Sequence, residues 1–326
     1  MKRFGVIFVL YHPTGEFLQN LARTRAVCQN LVAVDNSPKA DSRLHACLRE
    51  QGIHVIFNHN KGGLAGAYNR GAEVLLALQS DVIFLMDQDS EIEPSFFIRM
   101  MDACEDLGTD TFLMGPKIYE VNLKKCMAVF QPGKPLPKRL HIDDQFEGLF
   151  PSLCIISSGS AISASAYHKL GAFREDYFIE YIDIEYSLRA VSRNVPVYMN
   201  AAVTMRQTTG QIERHGKGFT TNHLAWRRYY GARNAVHCLY THRATWGLHW
   251  VSAVLAMHQA ICVLRYEREK TRKITAILCG YVDGLLGLLG TFEGRHRLIA
   301  AYCKKSVRMP PTIHDGAPAK VTGDEI

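Results

Sequence analysis

Short apolar runs alternate with amphipathic stretches through the first half of the chain. The runs over Phe4–Leu10, Leu31–Asp35, Ile53–Phe57, Asp81–Met86 and Phe112–Gly115 are rich in Val, Ile, Leu and Phe and lack strict polar alternation. That pattern predicts strands of a sheet covered on both faces. Between them, Phe17, Leu18, Leu21 and Ala22 share one helical face, as do Leu44, Cys47 and Leu48, and then Ala67, Tyr68, Ala72 and Leu75. Repeated strand–helix alternation predicts an α/β fold with right-handed crossovers. Ligands of such sheets bind beyond the carboxyl ends of the strands. Polar groups gather at those ends: Tyr11 and His12, Asp35 and Asn36, Asn58 to Gly63, and Asp87 to Asp89.

Residues 119–150 carry prolines, Gly133 and mixed charge and predict a connecting loop. The chain then returns through an apolar run at Ile155–Ile162, a helix near Ala164–Leu170 and a strand near Val195–Val203. From Trp226 onward the pattern is helical, and Pro310–Ile326 lacks periodicity and predicts an unstructured tail. The predicted division is a first part over 1–225, within which 1–115 and 150–205 are the two ordered portions. A helical region over 226–308 and a tail over 309–326 follow.

Charge sharpens this division. The chain has a net charge of +7, but residues 1–205 hold 20 basic and 23 acidic side chains, whereas residues 206–308 hold 17 basic and 5 acidic. A basic surplus confined to one segment implies an anionic partner there. The nine cysteines are scattered, without a CxxC pair or zinc-like spacing, as expected of reduced thiols in a cytoplasmic protein. The opening basic and apolar residues lack a small-residue cleavage site and predict a first strand rather than a secretory leader. The apolar stretches Trp246–Leu264 and Ile274–Gly290 are interrupted by His249, Ser252, His258, Gln259 and Asp283. They predict helices that lie on an anionic membrane face or close the domain, not spanning segments.

Three segments carry candidate chemistry. Asp87-Gln88-Asp89 follows the apolar run VIFLM, and residues two apart in an extended chain face the same side. Two hard oxygen donors there suit Mg²⁺ or Mn²⁺ bridging a diphosphate, although a solvated strand-to-loop turn has the same composition. The glycine-rich stretch from Asn58 to Gly66 opens a helix and permits close approach of a phosphate or sugar. It matches neither a dinucleotide fingerprint nor a phosphate loop, and an ordinary turn would read the same way. In the block from Phe178 to Arg189, Glu185 and Arg189 are spaced for an intrahelical ion pair. Asp183 stands among aromatic and aliphatic residues, where a carboxylate needs a partner or a purpose; it is the candidate general base. No HExxH or GxSxG motif occurs among the residues.

Taken in order, these segments resemble the family 2 glycosyltransferases of the GT-A fold, and within them the bacterial rhamnosyltransferase group. The likeness runs over roughly residues 4–295, through Val9 to Pro13, Val34 to Ser37, Asn60 to Gly71, Leu85 to Ser90, Ser158 to Ser160, Gly171 to Phe173, Phe178 to Arg189, Arg228 to Tyr230 with Arg233 and Asn234, and Gly280 to Gly287. The resemblance implies a mixed, mainly parallel central sheet with a C-terminal helical extension, and 1–225 as the catalytic part, with 1–115 binding the donor and 150–205 the acceptor. It implies donor contacts by Tyr11, Asp35, Asn36, Asn60, Gly62, Asn69, Arg70 and Asp87, with Asp35 accepting from a pyrimidine N–H. Asp89, with Asp87 beside it, would bind the divalent metal, and Asp183 would serve as general base in an inverting displacement. Ser158, Gly159, Glu180, Arg228, Tyr229 and Arg233 are implied acceptor or diphosphate contacts.

Three positions depart from the family. His12 replaces an Asn, Arg174 alters a Phe-Asp-Glu turn, and Arg206-Gln207 stands where many relatives place a metal-binding His, with His215 a possible substitute. The implied function is transfer of L-rhamnose from dTDP-L-rhamnose to a surface polysaccharide or lipopolysaccharide, by a protein peripheral to the inner face of the cell membrane. Alternatives are another donor, such as UDP-galactofuranose or UDP-glucose, or a non-catalytic protein binding membrane or nucleic acid; no nucleic-acid-binding motif supports the latter.

Overall fold

The alternating buried positions of the first strand already state the architecture. In a computed structural model, Val6, Phe8 and Leu10 join one core cluster while Ile7 and Val9 join another. Successive side chains of a strand point to opposite faces, so both faces of this sheet are covered. The structure describes residues 2–13, 15–90, 92–133, 136–143, 145–208, 212–215, 218–242, 257 and 259–304.

The first half is built from β1 (Phe4–Leu10), α1 (Gly15–Arg25), β2 (Asn30–Asp35), α2 (Ser42–Glu50), β3 (His54–Phe57), α3 (Gly63–Ala77), β4 (Val82–Asp87), α4 (Phe96–Asp106) and β5 (Leu113–Glu120). Short strands follow: β6 (Lys125–Cys126), β7 (Val129–Gln131), β8 (Lys138–Leu140), β9 (Leu149–Pro151) and β10 (Ala161–Ser163). Then come α5 (Ala164–Leu170), a 3-10 turn over Glu175–Tyr177, α6 (Ile182–Ser192) and β11 (Val197–Gln207). The small hairpin β12 (Glu213–His215) and β13 (Gly218–Thr220) leads to α7 (Ala225–Thr241), α8 (259–266), α9 (Lys270–Leu285), α10 (Phe292–Arg295) and α11 (Arg297–Lys304).

Among the described residues the main sheet has nine strands in the order β3-β2-β1-β4-β10-β5-β11-β9, with β6 against β5. β3, β2, β1 and β4 run parallel, and β10 is antiparallel to both β4 and β5. β11 is parallel to β5, so the carboxyl ends of β1, β2, β4 and β11 open on one edge. The expected strands are present, while the run over Ile155–Ile162 pairs only at its end. Gly159 sits at φ +77°, so residues 157–160 turn before β10 begins. The expected loop over 119–150 contains four short strands, one of which caps the sheet edge on β11.

Two glycines explain the Gly280-to-Gly287 pattern. A Cβ on Gly280 would lie 2.4 Å from the Tyr229 carbonyl oxygen, and one on Gly284 2.6 Å from that of Arg233. Their i, i+4 spacing therefore lets α9 press directly on α7. Between them, Asp283 accepts from the Tyr229 hydroxyl at 2.6 Å and lies 2.8 Å from His296. No described helix is long and apolar enough to cross a membrane. The predicted tail over 309–326 and most of the stretch Trp246–Leu264 lie outside the described residues.

Candidate active site

The carboxyl end of β4 meets a serine turn over residues 157–160. At the end of β4, the Asp87 N–H donates to Ser158 Oγ at 3.1 Å, and the adjacent Ser157 N–H donates to Asp183 Oδ2 at 3.3 Å. One turn thus holds both carboxylates. Ser158 Oγ is also 2.7 Å from Ser90 Oγ, and the Tyr68 hydroxyl donates to Ser157 Oγ at 3.0 Å, fixing the turn from both sides. Gly159 is obligatory there: a Cβ would meet Met205 Sδ at 2.8 Å and Pro116 Cγ at 2.9 Å.

Asp183 occupies the first turn of α6, where its Oδ1 accepts from the Ile184 N–H at 2.8 Å. The backbone that delivers it is strained. Phe178, Glu180 and Tyr181 all have positive φ, at 66°, 64° and 62°, a region costly for residues other than glycine. Asn234 Nδ2 donates to the carbonyls of Tyr177, Ile179 and Glu180 at 3.1, 2.9 and 2.8 Å. Buried Arg233 donates to the carbonyls of Asp176 and Tyr177 at 2.8 and 3.2 Å and to that of Gly290. The two side chains over-determine the turn and so carry its strain.

Burial raises the Asp183 carboxyl above its ordinary range, and the charge of Glu180 adds to this against hydrogen bonds from Ile184 and Ser157. Asp87 is pushed up to about 7, first by burial and then by the negative charges of Asp89 and Asp183. Carboxylates that repel one another in this way form a site that favours a cation. Ionising Asp87 in the folded protein is costly, so its charge opposes folding above the unfolded-state value near 3.8 and fully so above pH 7. Metal-free Asp87→Asn should therefore melt higher than the wild type at pH 8, by up to about 4 kcal/mol of stability. The gap should shrink as pH falls through 7 toward 4, which thermal melts at several pH values would measure.

On the donor side, Tyr11 is exposed, and its backbone N–H and carbonyl both bond the Gln88 side chain, at 2.9 and 3.1 Å. His12 adopts φ +48°, a left-handed position that Asn tolerates better, and its ring packs against Tyr11. Asp35 is buried: its Oδ1 accepts from the Ser37 N–H at 2.8 Å and its Oδ2 lies 2.7 Å from His45 Nε2. Asn36 donates to the Gly63 carbonyl at 2.9 Å and receives a bond from Asn58 at 2.7 Å. Asn60 and Gly62 have φ of 55° and 69° and form the left-handed turn into α3. A Cβ on Gly63 would lie 2.0 Å from the Phe178 carbonyl oxygen, which brings this turn against the strained segment.

Other expected contacts are occupied within the protein. Asn69 bonds the backbone of Phe173 through both its amide groups, at 3.0 and 2.8 Å, and Arg70 pairs with Glu175 at 3.0 Å. Arg228 is buried against Glu267 at 2.5 Å, a carboxylate that Lys273 shares at 2.7 Å. Tyr229 bonds Asp283, and Arg233 bonds the backbone as described. Glu185 and Arg189 form the expected intrahelical pair at 2.5 Å. His215 stacks on Tyr266 with ring centroids 4.3 Å apart.

The site cation that sequence reasoning missed is Arg227. It pairs with Glu180, three residues before Asp183, and its positive charge acts on Asp87. Beside it, Tyr11, Asn60, Phe178, Trp226, Tyr230 and Glu269 line a cleft of about 340 Å³. Two carboxylates, Asp87 and Asp89, offer oxygen donors, and at the end of β11 the buried Gln207 Oε1 has no hydrogen-bond partner. Among the described residues no group of three or more His, Cys, Asp and Glu has a metal-binding arrangement. The paired carboxylates of Asp87 and Asp89, whose charges act on each other, still suit a hard divalent cation.

The sheet order, with its mainly parallel strands and C-terminal helices, is that of the GT-A fold, and the chain is a glycosyltransferase. Residues 14–171, just under half of the chain, match the model of Glycosyl transferase family 2. The chain is 25% identical over 289 residues to the dTDP-rhamnosyl transferase RfbF of Shigella flexneri, spanning 87% of this chain and 96% of that protein. Among solved structures it resembles GalNAc-T7 crystallised with UDP, GalNAc and Mn²⁺, at 14% identity and a TM-score of 0.55, over 92% of this chain and 57% of that one. It also resembles residues 1–349 of S. aureus TarS in complex with UDP-GlcNAc, at 13% identity and a TM-score of 0.53, over 87% and 81%. At these identities the solved structures speak for the fold.

Proposed function

We propose that this glycosyltransferase moves L-rhamnose from dTDP-L-rhamnose to a hydroxyl of a surface polysaccharide or lipopolysaccharide acceptor, with inversion at the anomeric carbon. The observation that carries the reading is the shared serine turn, which joins Asp87 of the donor edge to Asp183 on α6. The rhamnosyl assignment is supported by the 25% identity to RfbF across most of both chains.

Asp183, with its raised proton affinity, takes the proton of the acceptor hydroxyl as that oxygen attacks. Asp89 and Asp87 would hold Mg²⁺ or Mn²⁺, with Gln207 Oε1 as a third oxygen. When bound, the ion offsets the negative charge that develops on the leaving diphosphate. Arg227 supplies positive charge on the same side and exchanges Glu180 for a phosphate oxygen when the donor enters. Tyr11 offers its exposed ring to the base, and Asn36, Asn60 and Gly62 shape the pocket wall. Asp35 acts through Ser37 and His45, because both its oxygens are already engaged. Asn69, Arg70, Arg228, Tyr229 and Arg233 keep the elements of the site in register. Residues 1–225 form the catalytic part, and 226–308 the basic helical part.

Donor profiling with and without divalent metal tests this reading. Nucleotide release from dTDP-L-rhamnose should require metal and exceed release from UDP-galactofuranose, UDP-glucose and UDP-GlcNAc. Turnover of a UDP-sugar with none of dTDP-L-rhamnose would refute the rhamnosyl assignment.

A further inference from the structure

The C-terminal helices expose apolar side chains that a water-facing helix does not need. On α9, Leu278, Val282 and Leu285 follow i, i+4, i+7 spacing and are 57%, 53% and 59% exposed. The opposite side of α9, with Ala276, Gly280 and Gly284, is the one pressed on α7. On α8, Ile261 and Leu264 are 48% and 54% exposed, while Val263 packs against Ile277 of α9 and Ala232 of α7. Two neighbouring helices therefore each bury one face in the bundle and leave an apolar stripe outside.

The exposed charge around these stripes is mainly positive. The acids in the described part of 257–304 each have a partner, and Glu267 and Asp283 are buried, while Glu293 keeps 43% of its side chain exposed beside Lys304. Glu267 is buried against Arg228 and Lys273, Glu269 pairs with Arg272, Asp283 bonds Tyr229 and His296, and Glu293 pairs with Lys304. Arg265, Arg268, Lys270, Arg295 and Arg297 are exposed, against two partly exposed acids, Glu269 and Glu293, which Arg272 and Lys304 pair. An apolar stripe set in mainly positive charge matches one kind of surface, an anionic bilayer. A water-soluble anionic polymer would satisfy the cations but leave the Leu and Val side chains without a function.

We propose that α8 and α9 form a membrane-docking face, which lays the exposed Leu, Ile and Val side chains into the headgroup boundary of an anionic leaflet. No described helix is long enough to span, so the helices lie in the interface plane. α7, on which α9 packs, bonds Glu180 in the segment before Asp183 through Arg227 and Asn234, so the docking helices are joined to the site through α7. This inference stands apart from the choice of donor sugar.

Co-sedimentation of the full chain with phosphatidylcholine vesicles, with and without phosphatidylglycerol, tests it. The wild type should partition onto the anionic vesicles and release as salt rises. Leu278→Ser/Val282→Ser/Leu285→Ser should lose binding at least tenfold at every salt concentration. Arg265→Gln/Arg268→Gln/Lys270→Gln should lose about a hundredfold at low salt, each cation contributing roughly fivefold. All these side chains are exposed, and a thermal melt would show that the variants fold; Leu298→Ser, on exposed α11, is a second apolar variant, expected to bind two- to threefold less. Absence of wild-type binding to phosphatidylglycerol vesicles would overturn the proposal. So would binding that survives the triple serine change, or self-association that the serine change abolishes, which would make the face a contact between two copies.

Discussion

Asp183→Asn should abolish sugar transfer while leaving nucleotide and metal binding within about twofold of the wild type. Removing a positioned general base costs typically 10²–10⁴-fold, so kcat should fall by about that factor. The reason lies in the site's division of labour. Asp183 stands in the first turn of α6, and its carboxylate accepts from the Ser157 and Ile184 amides. Asn keeps the size and one acceptor oxygen, so the turn and the strained segment before it should persist. Calorimetric titration with dTDP and Mn²⁺, beside single-turnover kinetics, would separate the two effects. Equal losses of binding and turnover would mean that Asp183 belongs to the donor site.

Asp89→Asn should show the opposite pattern. A charge lost from a two-carboxylate site weakens divalent-ion binding, and the nucleotide diphosphate should then bind about tenfold to a hundredfold less tightly in the presence of metal. In chelator the variant and the wild type should bind alike. Asp87→Asn differs again, since Asp87, pushed up to about 7, is partly protonated near pH 7 in the metal-free protein and a proton there opposes cation binding. Wild-type metal affinity should therefore fall as pH drops through 7. A variant Asp89→Asn that binds nucleotide and metal like the wild type would exclude Asp89 as a ligand.

Much of the sheet was legible in the sequence, while the packing around the candidate site was less so, and the reasons differ by residue. β1, β2 and β4 announce themselves because both their faces are buried, and each delivers its terminal polar residue to one edge. The pairing of Asp35 with His45 was not legible. The buried face of α2 carries His45 and Leu48, while Cys47 of the expected apolar face is exposed, and His45 is held inward by its bond to Asp35. The cluster at Arg228, Tyr229 and Arg233 misled for a geometric reason. These residues lie on the face of α7 that also bears Ala225 and Ala232 and meets α9, while Arg227, one residue away and so about 100° around the helix, turns to the site. The small residues at Ala225 and Ala232 were the available signal of which face packs. The strained turn at Phe178–Tyr181 left no local mark, since its support comes from Asn234 and Arg233 far along the chain.

The central claim is one carboxylate base and one displacement, without a covalent intermediate. The most direct measurement is proton NMR of the first transfer product, recorded before anomeric exchange. The account predicts an anomeric configuration inverted from that of the nucleotide-bound sugar. A retained configuration would contradict it, because retention requires either a second nucleophile beside the bond or front-face attack, neither of which Asp183 as base provides.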